Sequence, residues 1–196
     1  YEDLNVERRR TLFNYFLMDT LKSHDGIVSI WTCWEPNTID GRDALNINLP
    51  GHDATGRFVP LWSRGTNGNP QVAPLVDYTK PGDGDYYLKA LNSGAMFITD
   101  PYEYDIAGKK ITMFTISTPI RNKAGTIVGV VGVDISTEYY NEVNAKIKVY
   151  ETGFGKLFTE AGITVAHKNA NLINTVDHDF SGDQGKKILS AIAENK

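Results

Sequence analysis

The side chains best suited to chemistry are aromatic and charged groups gathered at a few places. Arg57, Trp62 and Arg64 fall within eight residues. Tyr86 and Tyr87 are neighbours, Tyr102 and Tyr104 follow Asp100-Pro101, Trp31 sits in an apolar run, and Asp134 closes a valine-rich one. Aromatic faces can wall a pocket, and a guanidinium and a carboxylate, here Arg57 and Asp134, can hold the two charged ends of a small molecule. The same residue types also serve plain packing. Tyr and Trp are ordinary core residues with a polar tip, and Asp134 can cap a helix that begins near Ser136. Spacing alone leaves both readings open.

Other chemistries find less support. No G-x-S-x-G elbow is present. Cys33 lies between Trp31 and Trp34, where a buried thiol is the ordinary outcome and an inert one. Of His24, His52, His167 and His178, no two are spaced as a helical metal pair. Asp177-His178-Asp179 offers oxygen and nitrogen ligands but reads as a common polar loop, so no metal and no cofactor are expected. Gly129-Val130-Val131-Gly132 belongs to a strand with no P-loop lysine behind it, and its glycines suit close sheet packing. Gly82-Asp83-Gly84 precedes a helix, but Asp83 and Asp85 would repel a phosphate. A hydrolase would have to pair Asp134 with His52 or His167, and no motif supports it.

The chain has 196 residues, with 20 Lys+Arg against 24 Asp+Glu and a formal net charge of −4. This balance speaks against a nucleic-acid partner, which needs a basic face. Apolar residues at 41% and charged residues at 22% are ordinary for a folded domain and argue against wholesale disorder. The one cysteine excludes an intrachain disulfide. No apolar run reaches the roughly 20 residues of a membrane span. The chain opens on Tyr1 rather than Met and shows no signal peptide, so it reads as an excised piece.

These side chains need elements to position them. Leu4, Leu12, Phe13, Phe16, Leu17 and Leu21 recur at helical intervals with Glu7 to Arg10 on the other face, which predicts a helix over 1–26 stopped by Asp25-Gly26. Residues 27–34 are β-branched and aromatic and predict a strand. Residues 35–84 are dense in turn formers and predict ordered loops with one or two short strands, notably at 58–62. A short helix over 85–92 ends at Gly94. Strands follow at 95–98, 111–116 and 126–133, the last two joined by a turn at 122–125. A helix over 136–147, a hairpin around 160–162 and a helix over 183–193 complete the chain. Helices and antiparallel strands are segregated, which predicts an α+β fold.

Gly84-Asp85-Tyr86-Tyr87, Ile98-Thr99-Asp100-Pro101-Tyr102, Ser117-Thr118-Pro119-Ile120 and Gly129-Val130-Val131-Gly132-Val133-Asp134-Ile135-Ser136 resemble, in this order and at these intervals, the double Cache sensor domain (dCache type 1). Residues 153–158 and 162–167 resemble the start of that family's membrane-proximal module. The resemblance implies a long N-terminal helix (1–26), a PAS-like membrane-distal module with an antiparallel sheet (27–148), and a partial second PAS-like module (149–196). It also implies an extracytoplasmic, periplasmic or extracellular place, between membrane helices outside this chain. The ligand would bind in the distal module, without catalysis. The output would be a chemoreceptor, histidine kinase or diguanylate cyclase.

Two departures stand out. Amino-acid-binding members carry Arg-x-Trp-Tyr where this chain has Gly84-Asp85-Tyr86-Tyr87, although Tyr102 and Asp134 match the family's pocket tyrosine and terminal aspartate. Residues 55–62 resemble a branch with purine-like ligands, so Arg57 or Arg64 would take the missing arginine's role. The second module also stops after one hairpin and one helix. The expected ligand set is Trp31, Arg57, Trp62, Tyr86, Tyr87, Tyr102, Tyr104 and Asp134. The expected ligand is a purine-like heterocycle, amino acid, amine or organic acid. A homodimer through the first helix is the expected protein partner. A structural or dimerisation module without a small ligand is the alternative.

Overall fold

The computed structural model describes residues 1–65, 67–106, 108–180 and 182–194. Residues 195 and 196, which close the expected second module, lie outside them. A 3-10 turn at Val6–Arg8 leads into α1, Arg9–Ser23. The helix is shorter than the 1–26 expected, and its buried face is not the expected one. Leu17 and Leu21 are buried as predicted, but Phe16 is exposed and Arg10 is buried.

Arg10 is buried because two aspartates of the turn-rich segment after residue 34 neutralise it. Its Nη2 lies 2.6 Å from Asp40 Oδ1 and 2.6 Å from Asp43 Oδ1. Its Nη1 donates to Gly56 O at 3.0 Å. Asp43 Oδ2 also accepts from the Asn37 amide at 2.7 Å. One guanidinium thus ties the turn-rich segment 37–56 to α1 and satisfies charges that could not otherwise leave water. Burial opposes ionisation of Asp40, but the Arg10 hydrogen bond and the Arg42 amide outweigh it and hold the carboxyl below its ordinary value.

The first strand, β1, is Ile27–Trp34, as the β-branched and aromatic run predicts. It is followed by β2 (Pro60–Arg64) and β3 (Pro70–Pro74). Next come α2 (Asp85–Ser93), β4 (Phe97–Ile98), β5 (Tyr102–Ile106), β6 (Lys109–Arg121) and β7 (Ile127–Ser136). Gly94, at φ +67, ends α2 in the left-handed conformation that glycine adopts without a steric cost. Strand β5 is one element that the sequence pattern does not predict. Among the described residues, these seven strands form one sheet in the order β3-β2-β1-β7-β6-β4, with β5 also paired to β6. β1 runs antiparallel to both β2 and β7.

The two faces of β1 are distinct. Trp31 and Cys33 pack with Tyr86, Tyr87 and Ala90 of α2. Ile30 packs with Leu17 and Leu21 of α1, and Trp34 with Phe13 and Phe58. A bulge between Ile27 and Ser29 resets the alternation, so that Ile27 joins Ile30 on the α1 face.

The remaining elements are α3 (Thr137–Ala145), β8 (Lys148–Val149), β9 (Gly153–Phe154), β10 (Leu157–Phe158), β11 (Thr164–Ala166) and α4 (Asp183–Glu194). Ser136 caps α3 by accepting from the Tyr139 amide. β8 pairs with β9, and β10 with β11. The chain divides into two compact units. The first holds Tyr1–Thr99, Tyr104–Ile111 and Thr115–Ile135. The second holds Asp100–Glu103, Thr112–Phe114 and the chain from Ser136 onward. Within the second unit, Lys156 Nζ bridges Asp177 at 2.6 Å and Asp179 at 2.9 Å.

Replacing Arg10 strands two buried carboxylates, so Arg10→Leu should cost about 3–5 kcal/mol in urea denaturation at neutral pH. A carboxyl held low in the folded state stabilises it above the unfolded pKa, and that contribution is lost as pH falls through the folded value. The wild-type protein should therefore lose stability towards acid more steeply than Arg10→Leu does.

Candidate ligand site

Asp134 is 4% exposed and lies on β7 opposite Ser29 of β1. Its side chain does not cap α3, a role Ser136 fills. It turns instead to the face of the sheet that carries Trp31. Ser29 Oγ donates to Oδ2 at 2.5 Å, Thr115 Oγ1 donates to Oδ1 at 2.6 Å, and Trp31 Nε1 reaches Oδ1 at 3.4 Å. Among the described residues, no cation pairs with it. Burial pushes the Asp134 carboxyl above its ordinary value, and the Ser29, Thr115 and Trp31 donors only partly offset this.

Of the aromatic side chains, Trp31 reaches the carboxylate directly. Trp31 and Tyr86 meet edge to face, with ring centroids 5.2 Å apart. Tyr86 is itself anchored by its hydroxyl to Val76 O at 2.7 Å. Tyr104 is half-buried on β5. Burial raises its phenol, and the charges of Asp134 and then Asp77 raise it further, so this ring lies within electrostatic reach of both carboxylates.

The other expected site residues are placed elsewhere. Arg57 is buried, but its guanidinium is already matched. Nη2 bridges Glu35 Oε1 at 2.8 Å and the Tyr87 hydroxyl at 2.7 Å, and Nε donates to Trp34 O. It also stacks over Tyr78 at 5.0 Å, and Tyr78 bonds Asp53 at 2.6 Å. Arg57 and Tyr87 therefore hold α2 to the loop after β1. Burial, the nearby Cys33 and the hydrogen bond to Glu35 all raise the Tyr87 phenol. Trp62 pairs in register with Ile30, so it lies on the α1 face, where Nε1 donates to Asn14 Oδ1 at 2.9 Å. Arg64 donates to Leu21 O at 2.6 Å at the end of α1. Tyr102 is half-buried in the second unit.

Sequence reasoning missed Ser29, Thr115, Glu35 and Tyr78. Ser29 carried one signal, since it stands two residues before Trp31 on the same face of a strand. Thr115 carried none, because only strand pairing brings it to Asp134.

The catalytic alternatives are not assembled. Burial pushes the Cys33 thiol up to about 12. His52 Nδ1 faces Pro50 O at 2.9 Å and its ring packs against Phe58. His167 Nδ1 accepts from the Asn169 amide, and its ring lies edge-on to Phe154. Neither histidine is among the partners of Asp134. Asp177, His178 and Asp179 bring ligand atoms within 4.8 Å of one another, but the Lys156 ammonium already lies against both carboxylates.

A helix followed by a curled antiparallel sheet with a buried polar group under an aromatic wall defines a PAS-like sensor module. Residues 15–141 match the family described as the methyl-accepting chemotaxis protein-like, first PDC sensor domain, and the chain belongs to that family. The expected Cache-type fold is thereby established. The chain is similar to the methyl-accepting chemotaxis protein TlpQ of Pseudomonas aeruginosa, with 26% identity over 127 residues, 59% of this chain and 18% of that protein. It is also similar to the extracellular domain of mmHK1S-Z3, assigned as a histidine kinase, with 32% identity and a TM-score of 0.76 over 94% of this chain and 66% of that one. The ligand-binding domain of the Campylobacter jejuni chemoreceptor Tlp3, solved with L-valine, shares the fold at a TM-score of 0.57 and 22% identity, over 89% of this chain and 58% of that one. The chain thus spans under two thirds of these relatives. It is a sensor domain of the extracytoplasmic kind found in chemoreceptors and histidine kinases. Among the described residues, no helix is long and apolar enough to cross a membrane.

A buried carboxylate without a counter-ion is a cost to the fold. Asp134→Asn should therefore be more stable than wild type at pH 7 in thermal unfolding. The sign follows from the raised folded pKa. Protonation favours the folded state, so the penalty is absent below the unfolded pKa, grows as pH rises to the folded value and persists above it. The gain of the variant should vanish in acid.

Proposed function

We propose that this domain senses a small molecule bearing a protonated amine, bound where Asp134, Trp31, Tyr86 and Tyr104 converge. The observation that carries this reading is the Asp134 carboxylate, buried among three neutral donors and, among the described residues, with no cation paired to it. An ammonium group supplies the missing charge, and the aromatic faces of Trp31, Tyr86 and Tyr104 suit a cation or a flat ring. Arg57 and Arg64 are engaged within the protein, which disfavours a simple organic acid. Ligands with both an amine and a carboxylate, such as the L-valine bound by Tlp3, would need an anion partner other than these arginines.

Asp134 and Trp31 are closed off from solvent, so a ligand reaches the carboxylate by displacing part of the aromatic wall. That displacement provides two states with different affinity for the ligand, which any sensor requires. We place the signal's output in a chemoreceptor or a histidine kinase.

Amines, amino acids, purines and organic acids should be compared by thermal shift and calorimetry. Amines should raise the melting temperature by several degrees, since a ligand at about 100 times its Kd adds about 2.7 kcal/mol. Asp134→Asn should abolish the response in a folded protein. Trp62→Ala, on the opposite face, should retain it. A response to organic acids alone would overturn the reading.

A second reading is a pairing module, favoured by Tyr15 at 67% and Phe16 at 64% exposure on α1, and by the closed aromatic cluster at Trp31. Sedimentation should then show a dimer that Phe16→Glu converts to monomer. A monomer across the micromolar range would remove this reading.

A further inference from the structure

Gly132 stands directly opposite Trp31 in the β1–β7 register. A Cβ at this position would lie 2.2 Å from Trp31 Cζ2, 2.4 Å from Cε2 and 2.7 Å from Cη2. The indole therefore rests flat on the bare backbone of β7, in the space a side chain would occupy. Gly132 is not in the left-handed conformation that restricts other residues, so its backbone tolerates alanine and only the indole opposes it. The same indole sends Nε1 to Asp134 and meets the Tyr86 ring edge to face.

We propose that Gly132 is a positioning residue for the ligand site: the absence of its side chain seats the Trp31 indole on β7, and so fixes both the aromatic floor and the donor aimed at Asp134. The role of this seat in ligand affinity rests on the amine-sensing reading. The seat itself does not. A methyl group at Gly132 lifts the indole by more than an ångström, turns Nε1 away from the carboxylate and pushes the ring towards Tyr86. A larger or differently tilted floor then changes which flat cations fit. Gly129, three residues earlier on β7, differs. A Cβ there would meet the Cys33 carbonyl at 2.8 Å and the Trp34 Cα at 3.0 Å, which is backbone packing with no aromatic ring involved.

The test uses Gly132→Ala, Trp31→Leu and the double variant. The indole Nε1–H resonance of Trp31, assigned by its loss in Trp31→Leu, should move in Gly132→Ala, and its hydrogen exchange should quicken by ~tenfold or more, the factor for about 1.4 kcal/mol. The melting temperature should fall in Gly132→Ala. Adding Gly132→Ala to Trp31→Leu should leave the melting temperature unchanged or raise it, because the clashing ring is gone. If Gly132→Ala alone does not fold, the double variant should. An unmoved indole signal, or an equal loss of stability in both backgrounds, would overturn the seat and make Gly132 a packing position like Gly129.

The ligand arm uses 2-phenylethylamine as the probe, with calorimetry on wild type and Gly132→Ala. Weaker binding by ~tenfold or more in the variant is expected. Equal binding would overturn the seat's role in affinity. Failure of every amine to bind wild type would overturn the amine-sensing reading, while the indole measurements would still decide the seat.

Discussion

Strand β1 sends successive side chains to opposite faces of the sheet, and the first unit is organised around that alternation. Ile30 and Trp34 bury against α1 and its neighbours, while Trp31 and Cys33 bury against α2. A slip of one residue would exchange the two sets and put Trp31 under the wrong helix. The bulge at the start of the strand matters for the same reason. It brings Ile27 onto the α1 face while leaving Ser29 opposite Asp134. Alternation therefore decides which aromatic groups pack the hydrophobic core and which border the carboxylate.

Within this frame, charge is treated in two ways. Arg10 and Arg57 are both buried, and both are neutralised, the first by Asp40 and Asp43 and the second by Glu35. Their work is to tie loops to helices. Asp134 is as deeply buried, but among the described residues its donors are all neutral. Beside two buried arginines that are both paired, that imbalance is the mark of a group held for something outside the chain. Tolerating it has a stability cost, and such costs collect at sites of function.

Much of the fold was legible. The β-branched and aromatic run at 27–34 became β1 without a change of boundary. Gly94 ended α2 as its position implied. The first helix was partly misread. The sequence pattern puts Arg10 on the polar face, where arginine is normally solvated, and the two aspartates that bury it lie about thirty residues away. Strand β5 carries the alternation Tyr102, Tyr104, Ile106, but the run is short, is charged at every second place and follows a proline. Its place in the sheet comes from pairing with β6.

The candidate site divides in the same way. The sequence by itself determined which residues had the right chemistry: Asp134 at the end of a valine strand, and Trp31 and the tyrosines as aromatic surface. The order of its motifs also determined the family. It could not say which charges were free. Arg57 and Asp134 read alike as two ends of one ligand clamp, yet one is occupied by Glu35 and Tyr87 and the other has no counter-ion among the described residues. Only the tertiary structure decided this. The partners of Asp134 lie up to 105 residues away along the chain, and strand register, a property of the whole sheet, sets which side chains meet.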